Sequence, residues 1–180
     1  MKKTIYLLAT IVSLLFCSCN NDEELSKLII GKYYYTEYVE DIDWDEEVPI
    51  AVTSDVYEEF HRNNTVVESG NISFLFYSES GKNIKVEYSY TLRGKWKIKN
   101  SFLYYDYMDI GNFRLNFEKS NANSYIEREE VNYVREFVEN DFLYIMKETL
   151  LDCTTKIIKI NDSNLVTEYD NERFIQKRIQ

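Results

Sequence analysis

Six acidic side chains crowd one short segment: Glu40, Asp41, Asp43, Asp45, Glu46 and Glu47, with Trp44 among them. The spacing Asp41-x-Asp43-x-Asp45 would place hard oxygen ligands at the first, third and fifth positions of a calcium loop, which also needs Gly at the sixth and Glu at the twelfth. Those positions hold Glu46 and Val52. The segment therefore reads as a solvated acidic loop, and no metal or other cofactor is expected. His61 is the sole imidazole. It follows Phe60, so on a strand that turns Phe60 inward His61 faces solvent, an unpromising place for a general base. No nucleophile sits in a recognisable motif, and there is no glycine-rich phosphate loop or nucleophile elbow. Carboxylate pairs suited to glycoside hydrolysis are numerous in a chain with 31 acids, and none stands out. No catalytic residue is assigned, and the chain is read as a non-enzyme.

Aromatic residues are the remaining chemical signal. The chain carries 16 Tyr, 10 Phe and 2 Trp, more than a core of Leu and Val needs. Two readings stay open: the rings fill the interior of a small barrel, or they line a cavity that holds one small apolar ligand. On the second reading the lining candidates are Tyr88, Tyr90, Trp96 and Tyr105, all facing inward.

The elements that must position these residues belong to one chain of 180 residues, long enough for one domain with its own core. With 21 basic against 31 acidic side chains the net charge is −10. Nucleic acid is not an expected partner, since phosphate affinity rests on Lys and Arg. The N-terminus reads as an address. Lys2 and Lys3 precede an apolar run from Ile5 to Phe16, too short for a helix that crosses a bilayer and suited to a secretory segment. Ser18-Cys19 closes it, and a small residue before a cysteine at this point resembles the lipobox of bacterial lipoproteins. The resemblance implies a signal peptide over 1–18, lipid attachment at Cys19 and anchoring to a membrane through that lipid. Removing Lys2 and Lys3 from the 21 basic residues leaves 19 against 31 acidic, a net charge of −12. Such a body is repelled by anionic lipid surfaces, so acyl chains must hold it there. The stretch Asp22-Glu23-Glu24 after the cysteine is similar to the export signal of surface lipoproteins in Bacteroidota; a solvated tether over 19–29 reads the same residues equally well. After cleavage Cys153 is the one remaining thiol. It leaves no internal disulfide and reads as a small buried hydrophobe.

From residue 30 onward the chain alternates as antiparallel strands do. Ile84, Val86, Tyr88, Tyr90 and Leu92 share one face, with Lys85, Glu87, Ser89 and Thr91 on the other. Trp96 and Ile98 continue the pattern, and Phe113, Leu115 and Phe117 repeat it. Arg93-Gly94, Asn100-Ser101, Gly111-Asn112, Asn63-Asn64 and Ser80-Gly81 supply turns between strands. One segment breaks the period. Between about 124 and 149 there is no Gly or Pro, and Val131, Val134, Val138, Phe142 and Ile145 recur at helical spacing. Ser124 and Glu127 form a capping-box pattern at its start. A closing hairpin follows, from Ile158 through Asn161-Asp162-Ser163-Asn164 to Tyr169, and Phe174 to Ile179 completes the sheet.

Gly31-Lys32-Tyr33 at the first strand, Gly94-Lys95-Trp96-Lys97-Ile98 in the middle and Arg178 near the end resemble the lipocalin-like lipoproteins of Bacteroidota. The resemblance implies a mainly β domain over 30–180. It would be an antiparallel barrel of about 8–10 strands with one long helix before the final hairpin. It also implies a cation–π contact of Arg178 on Tyr33 that closes the barrel. The functional expectation is a lipid-anchored protein of the outer membrane that binds a small hydrophobic or amphipathic ligand. The alternative is a filled barrel that docks to another envelope protein or a surface glycan complex.

Overall fold

The computed structural model describes residues 21–42, 50–108, 110–151 and 153–179. Cys19 with its signal segment, and Asp43, Asp45, Glu46 and Glu47 of the acidic loop, lie outside the described residues. A helix, α1, spans residues 21–28. Strands β1 (Gly31–Ile42), β2 (Ile50–Phe60), β3 (Thr65–Tyr77), β4 (Asn83–Lys99) and β5 (Phe102–Tyr107) follow as a meander. A short strand β6 (Asn116–Ser120) leads into helix α2 (Tyr125–Phe137), a π-turn (Val138–Phe142) and helix α3 (Leu143–Leu151). The chain ends in β7 (Thr154–Ile160), β8 (Asn164–Tyr169) and β9 (Glu172–Ile179).

Every neighbouring pair is antiparallel, in the order β1-β2-β3-β4-β5-β7-β8-β9, and β9 returns to β1. Eight strands thus close an up-and-down barrel and leave no edge between the first strand and the last. Two hairpins turn on consecutive residues with positive φ, Asn100-Ser101 (55° and 63°) and Asp170-Asn171 (49° and 65°). Those values belong to the two-residue turn whose twist matches the strands it joins.

Two sequence expectations need correction. Arg93-Gly94 is not a turn: β4 runs unbroken through it for 17 residues. A Cβ on Gly94 would sit 2.7 Å from the backbone oxygen of Asp106, so the missing side chain serves close approach of β5. Nor do Phe113, Leu115 and Phe117 form one alternating strand. Ile110–Asn112 is a 3₁₀ turn, Phe113 packs edge-on against Tyr90 with centroids 5.7 Å apart, and β6 begins only at Asn116.

α1 seals one end of the barrel. Its Asp22 carboxylate accepts hydrogen bonds from the backbone N–H groups of Asn100 and Ser101 at 2.7 and 2.9 Å, and Ile29 behind it is fully buried. The acidic stretch that reads in sequence as part of a tether is therefore the first turn of a docked helix. Inside this end Phe60 meets Tyr33 and Trp96 edge to face, at 5.8 and 5.9 Å. Such pairs add to the burial of the rings themselves. The Trp96 indole N–H donates to the Thr65 carbonyl at 3.1 Å.

The helical arm is held at its start by a capping box. The Ser124 side chain accepts from the Glu127 N–H, and Glu127 in turn accepts from the Asn123 and Ser124 N–H groups. Glu127 also accepts from Ser80 at 2.9 Å and pairs with Lys82 at 3.0 Å, both in the β3–β4 turn. The two backbone donors and then Lys82 and Ser80 hold its carboxyl far below the ordinary range. From there α2 buries Val131, Val134 and Phe137. The π-turn adds a wider loop of helix and brings Phe142 onto Phe74 of β3, edge to face at 5.1 Å.

Candidate functional site

Strand β5 is six residues long against 17 in β4, so it pairs only with the end of β4 near α1. The remaining interior is walled by the strands, with the π-turn and α3 covering the side that β5 leaves short, and it is not filled. A cavity of about 750 Å³ lies there, within the range of small-molecule sites. Residues that line it while standing exposed mark its mouth: Glu37, Ile145, Tyr169 and Glu172. Val52, Val56 and Ile72 line it from β2 and β3, with Phe142 and Met146 from the arm. Tyr35, Tyr90, Tyr105 and Tyr107 bring aromatic rings.

Two carboxylic acids sit in this lining where apolar residues would be expected. Glu58 on β2 is 2% exposed and Glu68 on β3 is 5% exposed. They are directly opposed in the β2–β3 register, the arrangement in which like charges repel most. Each is held by neutral donors. Tyr90 and Tyr107 donate their hydroxyls to the two oxygens of Glu68, at 2.9 and 2.6 Å. Gln176 of β9 donates its amide to Glu58 at 2.7 Å, and Tyr105 lies close enough to Glu58 to pull its carboxyl down against the effect of burial. Burial pushes the Glu58 carboxyl up to about 8, and the Glu68 charge adds to the rise. Burial raises Glu68 too, against the pull of its two tyrosine hydrogen bonds. The tyrosines rise in turn through loss of solvent, with the carboxylates nearby adding to the effect. Gly70 makes room for this network. A Cβ there would lie 2.5 Å from the Tyr90 ring, so only a bare backbone lets Tyr90 lie across β3 toward Glu68.

Of the four residues proposed from sequence to line a cavity, the structure brings Tyr90 and Tyr105 to it. Tyr88 and Trp96 are buried but lie elsewhere. Tyr88 packs edge-on between Phe74 and Phe117, at 5.7 and 5.8 Å, and Trp96 belongs to the sealed end. The physical reason is the length of β4: inward positions along 17 residues traverse the whole barrel, and its cavity occupies only part of that height. The Arg178 guanidinium lies 5.1 Å from the Tyr33 ring centroid and donates to the Tyr33 hydroxyl and the Leu28 carbonyl, next to α1. Cys153 lines the cavity, half-buried. Burial first, then the facing acids, pushes its thiol up to about 12, which keeps it un-ionised at neutral pH. His61 stays on the outside, 3.7 Å from Glu59. Among the described residues no group of three His, Cys, Asp or Glu could hold a metal ion.

Glu58, Glu68 and Gln176 are not among the residues expected from sequence to form a site. The signal was present: read with period two, Glu58 falls between Val56 and Phe60, and Glu68 follows Val66 two residues on. An acid on the apolar face of a strand is rare enough to mark a site.

No family model matches the chain, and no curated protein does. Solved structures resemble it distantly. An uncharacterized protein from Bacteroides eggerthii is 12% identical with a TM-score of 0.40, over 83% of this chain and 98% of that one. A lipocalin-like protein from Bacteroides uniformis is 16% identical with a TM-score of 0.38, over 84% of this chain and 99% of that one. The chain's own strand pairing defines its class, a lipocalin-like up-and-down barrel with a helical arm inserted before the last three strands.

Proposed function

We propose that this protein is a lipid-anchored component of the cell envelope that takes a small or amphipathic ligand into its barrel. The observation that carries the reading is the cavity of about 750 Å³, open at one end and lined by apolar and aromatic side chains around a few polar groups. A barrel acting only as a rigid docking module would gain stability by filling that space, because an unfilled interior forfeits dispersion contacts along its walls. The cavity thus supports ligand binding over the filled-barrel alternative. The anchor is an acylated Cys19, which would hold the acidic body at the outer membrane.

The test uses full-length protein isolated from its own host, alongside a variant with Val56→Phe and Thr167→Phe to block the cavity. Small molecules are extracted from both and identified by mass spectrometry. A compound near one per chain in the wild type and absent from a folded blocked variant is the expected result. No bound compound, with a stoichiometric envelope protein captured by crosslinking on the intact chain, would overturn ligand binding in favour of docking. Loss of palmitate labelling in Cys19→Ala is expected; labelling that persists would refute the anchor.

A further inference from the structure

One part of the cavity wall gathers hydrogen-bond acceptors. Glu58 and Glu68 bring carboxyl oxygens from β2 and β3. Gln176, 6% exposed, spends its amide N–H on Glu58, which leaves its carbonyl Oε1 buried in the lining without a hydrogen-bond partner. The Tyr90 and Tyr107 hydroxyls already point to Glu68, and the Thr155 hydroxyl, buried in the lining without a partner, can donate or accept. Among the described residues lining the cavity there is no Lys, Arg or His. An orphaned buried carbonyl costs free energy unless a partner arrives, and that partner must bring N–H or O–H groups. Two opposed carboxyls inside a barrel also ask for positive charge.

We infer that the ligand is a cation: an amphipathic amine or guanidine whose N–H groups reach Glu58, Glu68 and the Gln176 carbonyl while its apolar body fills the cavity toward the mouth. The inference rests on the ligand-binding reading and names the chemistry of that same site. The faces of Tyr35, Tyr90, Tyr105 and Tyr107 suit such a ligand, because an aromatic ring attracts a desolvated cation. A fatty acid or other anionic amphipath meets two acids here and no Lys, Arg or His among the described lining residues, so its charge finds no counterpart. Entry of the cation also moves a proton. Glu58 is faced by Glu68 on β3, Tyr33, Tyr35 and Glu37 on β1, Tyr90 on β4, Tyr105 and Tyr107 on β5, Cys153 before β7 and Gln176 on β9, none of them cationic, while Arg178 stands beyond Tyr33 and bonds its hydroxyl. Thr149 and Met146 of α3, with Thr155 and Thr167, are the uncharged neighbours on the remaining walls. In the empty cavity burial favours the protonated carboxyl; a bound cation favours the carboxylate, so the proton leaves. Affinity for the amine therefore rises with pH, by up to about tenfold per unit below pH 8.

The experiment titrates the full chain, in lipid nanodiscs with protein-free discs as the blank, with octylamine, octanoate and octanol. Calorimetry at pH 7 in two buffers of different ionisation enthalpy counts the protons released. The expected result is octylamine binding about tenfold or more tighter than octanoate, with net proton release. The Glu58→Gln, Glu68→Gln double variant should lose that preference and keep its affinity for octanol. Should the double variant fail to fold, the wild-type head-group ranking and proton count decide the matter, with Glu58→Gln alone as the second variant. Octanoate binding as tightly as octylamine, or amine binding without proton release, would overturn the cation while leaving a ligand cavity in place. Failure of all three probes to bind would overturn both.

Discussion

Replacing Glu58 by Gln probes the cost of an acid in the barrel wall. In the unfolded chain the carboxyl titrates at its ordinary value of 4.5, whereas burial in the fold moves it to about 8. Below pH 4.5 both states carry the proton and the group has no pH-dependent effect. As pH climbs from 4.5 to 8 the unfolded chain ionises while the folded one holds its proton, so stability declines through that window and levels off above it. At about 1.4 kcal/mol per unit of separation, the full decline has a ceiling of roughly 5 kcal/mol. The substituted amide cannot ionise, yet its carbonyl can still accept from Gln176. The variant should therefore match the wild type near pH 4.5 and exceed it by several kcal/mol at pH 9. Urea unfolding across pH 4–9 measures this. With a slope of about 2 kcal/mol per molar urea, the two midpoints should diverge by up to about 2 M. The chain's overall negative charge tilts both curves alike and cancels in the difference. Parallel curves across the whole range would refute the reasoning, since they would show that burial does not hold Glu58 protonated.

Gly70→Ala should cost about 1–3 kcal/mol, because the new methyl must push Tyr90 aside and break its 2.9 Å bond to Glu68. An unchanged melting temperature would count against the tight fit. Arg178→Ala should destabilise the sealed end by about 1–3 kcal/mol, since it removes the bonds to Tyr33 and Leu28 and the contact with the Tyr33 ring. Arg178→Lys should recover little of this in urea unfolding, because an ammonium cannot stack and fork at once; full recovery would show that charge alone mattered.

Legibility followed the range of the interactions. The faces of β4 could be read because Ile84 through Leu92 alternate strictly, and burial follows that alternation in the structure. The arm could be read because Ser124 and Glu127 satisfy each other locally and Val131, Val134 and Val138 recur along one face. Arg93-Gly94 misled because a glycine that lets a neighbouring strand approach looks, in sequence, like one that makes a turn. The π-turn gave no sign, since it adds a fraction of a turn to a pattern that stays apolar.

Alternation, turn chemistry and capping determined from the sequence alone that this protein is a set of antiparallel strands with one helical arm, because each depends on residues a few positions apart; the barrel was an expectation carried by the resemblance to lipocalin-like lipoproteins. Only the tertiary structure decided that the barrel is hollow and that two acids face each other within it. Cavity volume is the difference between the space eight strands enclose and the side chains they contribute. The meeting of Glu58, Glu68 and Gln176 needs strands separated by as many as 118 positions to close into one wall.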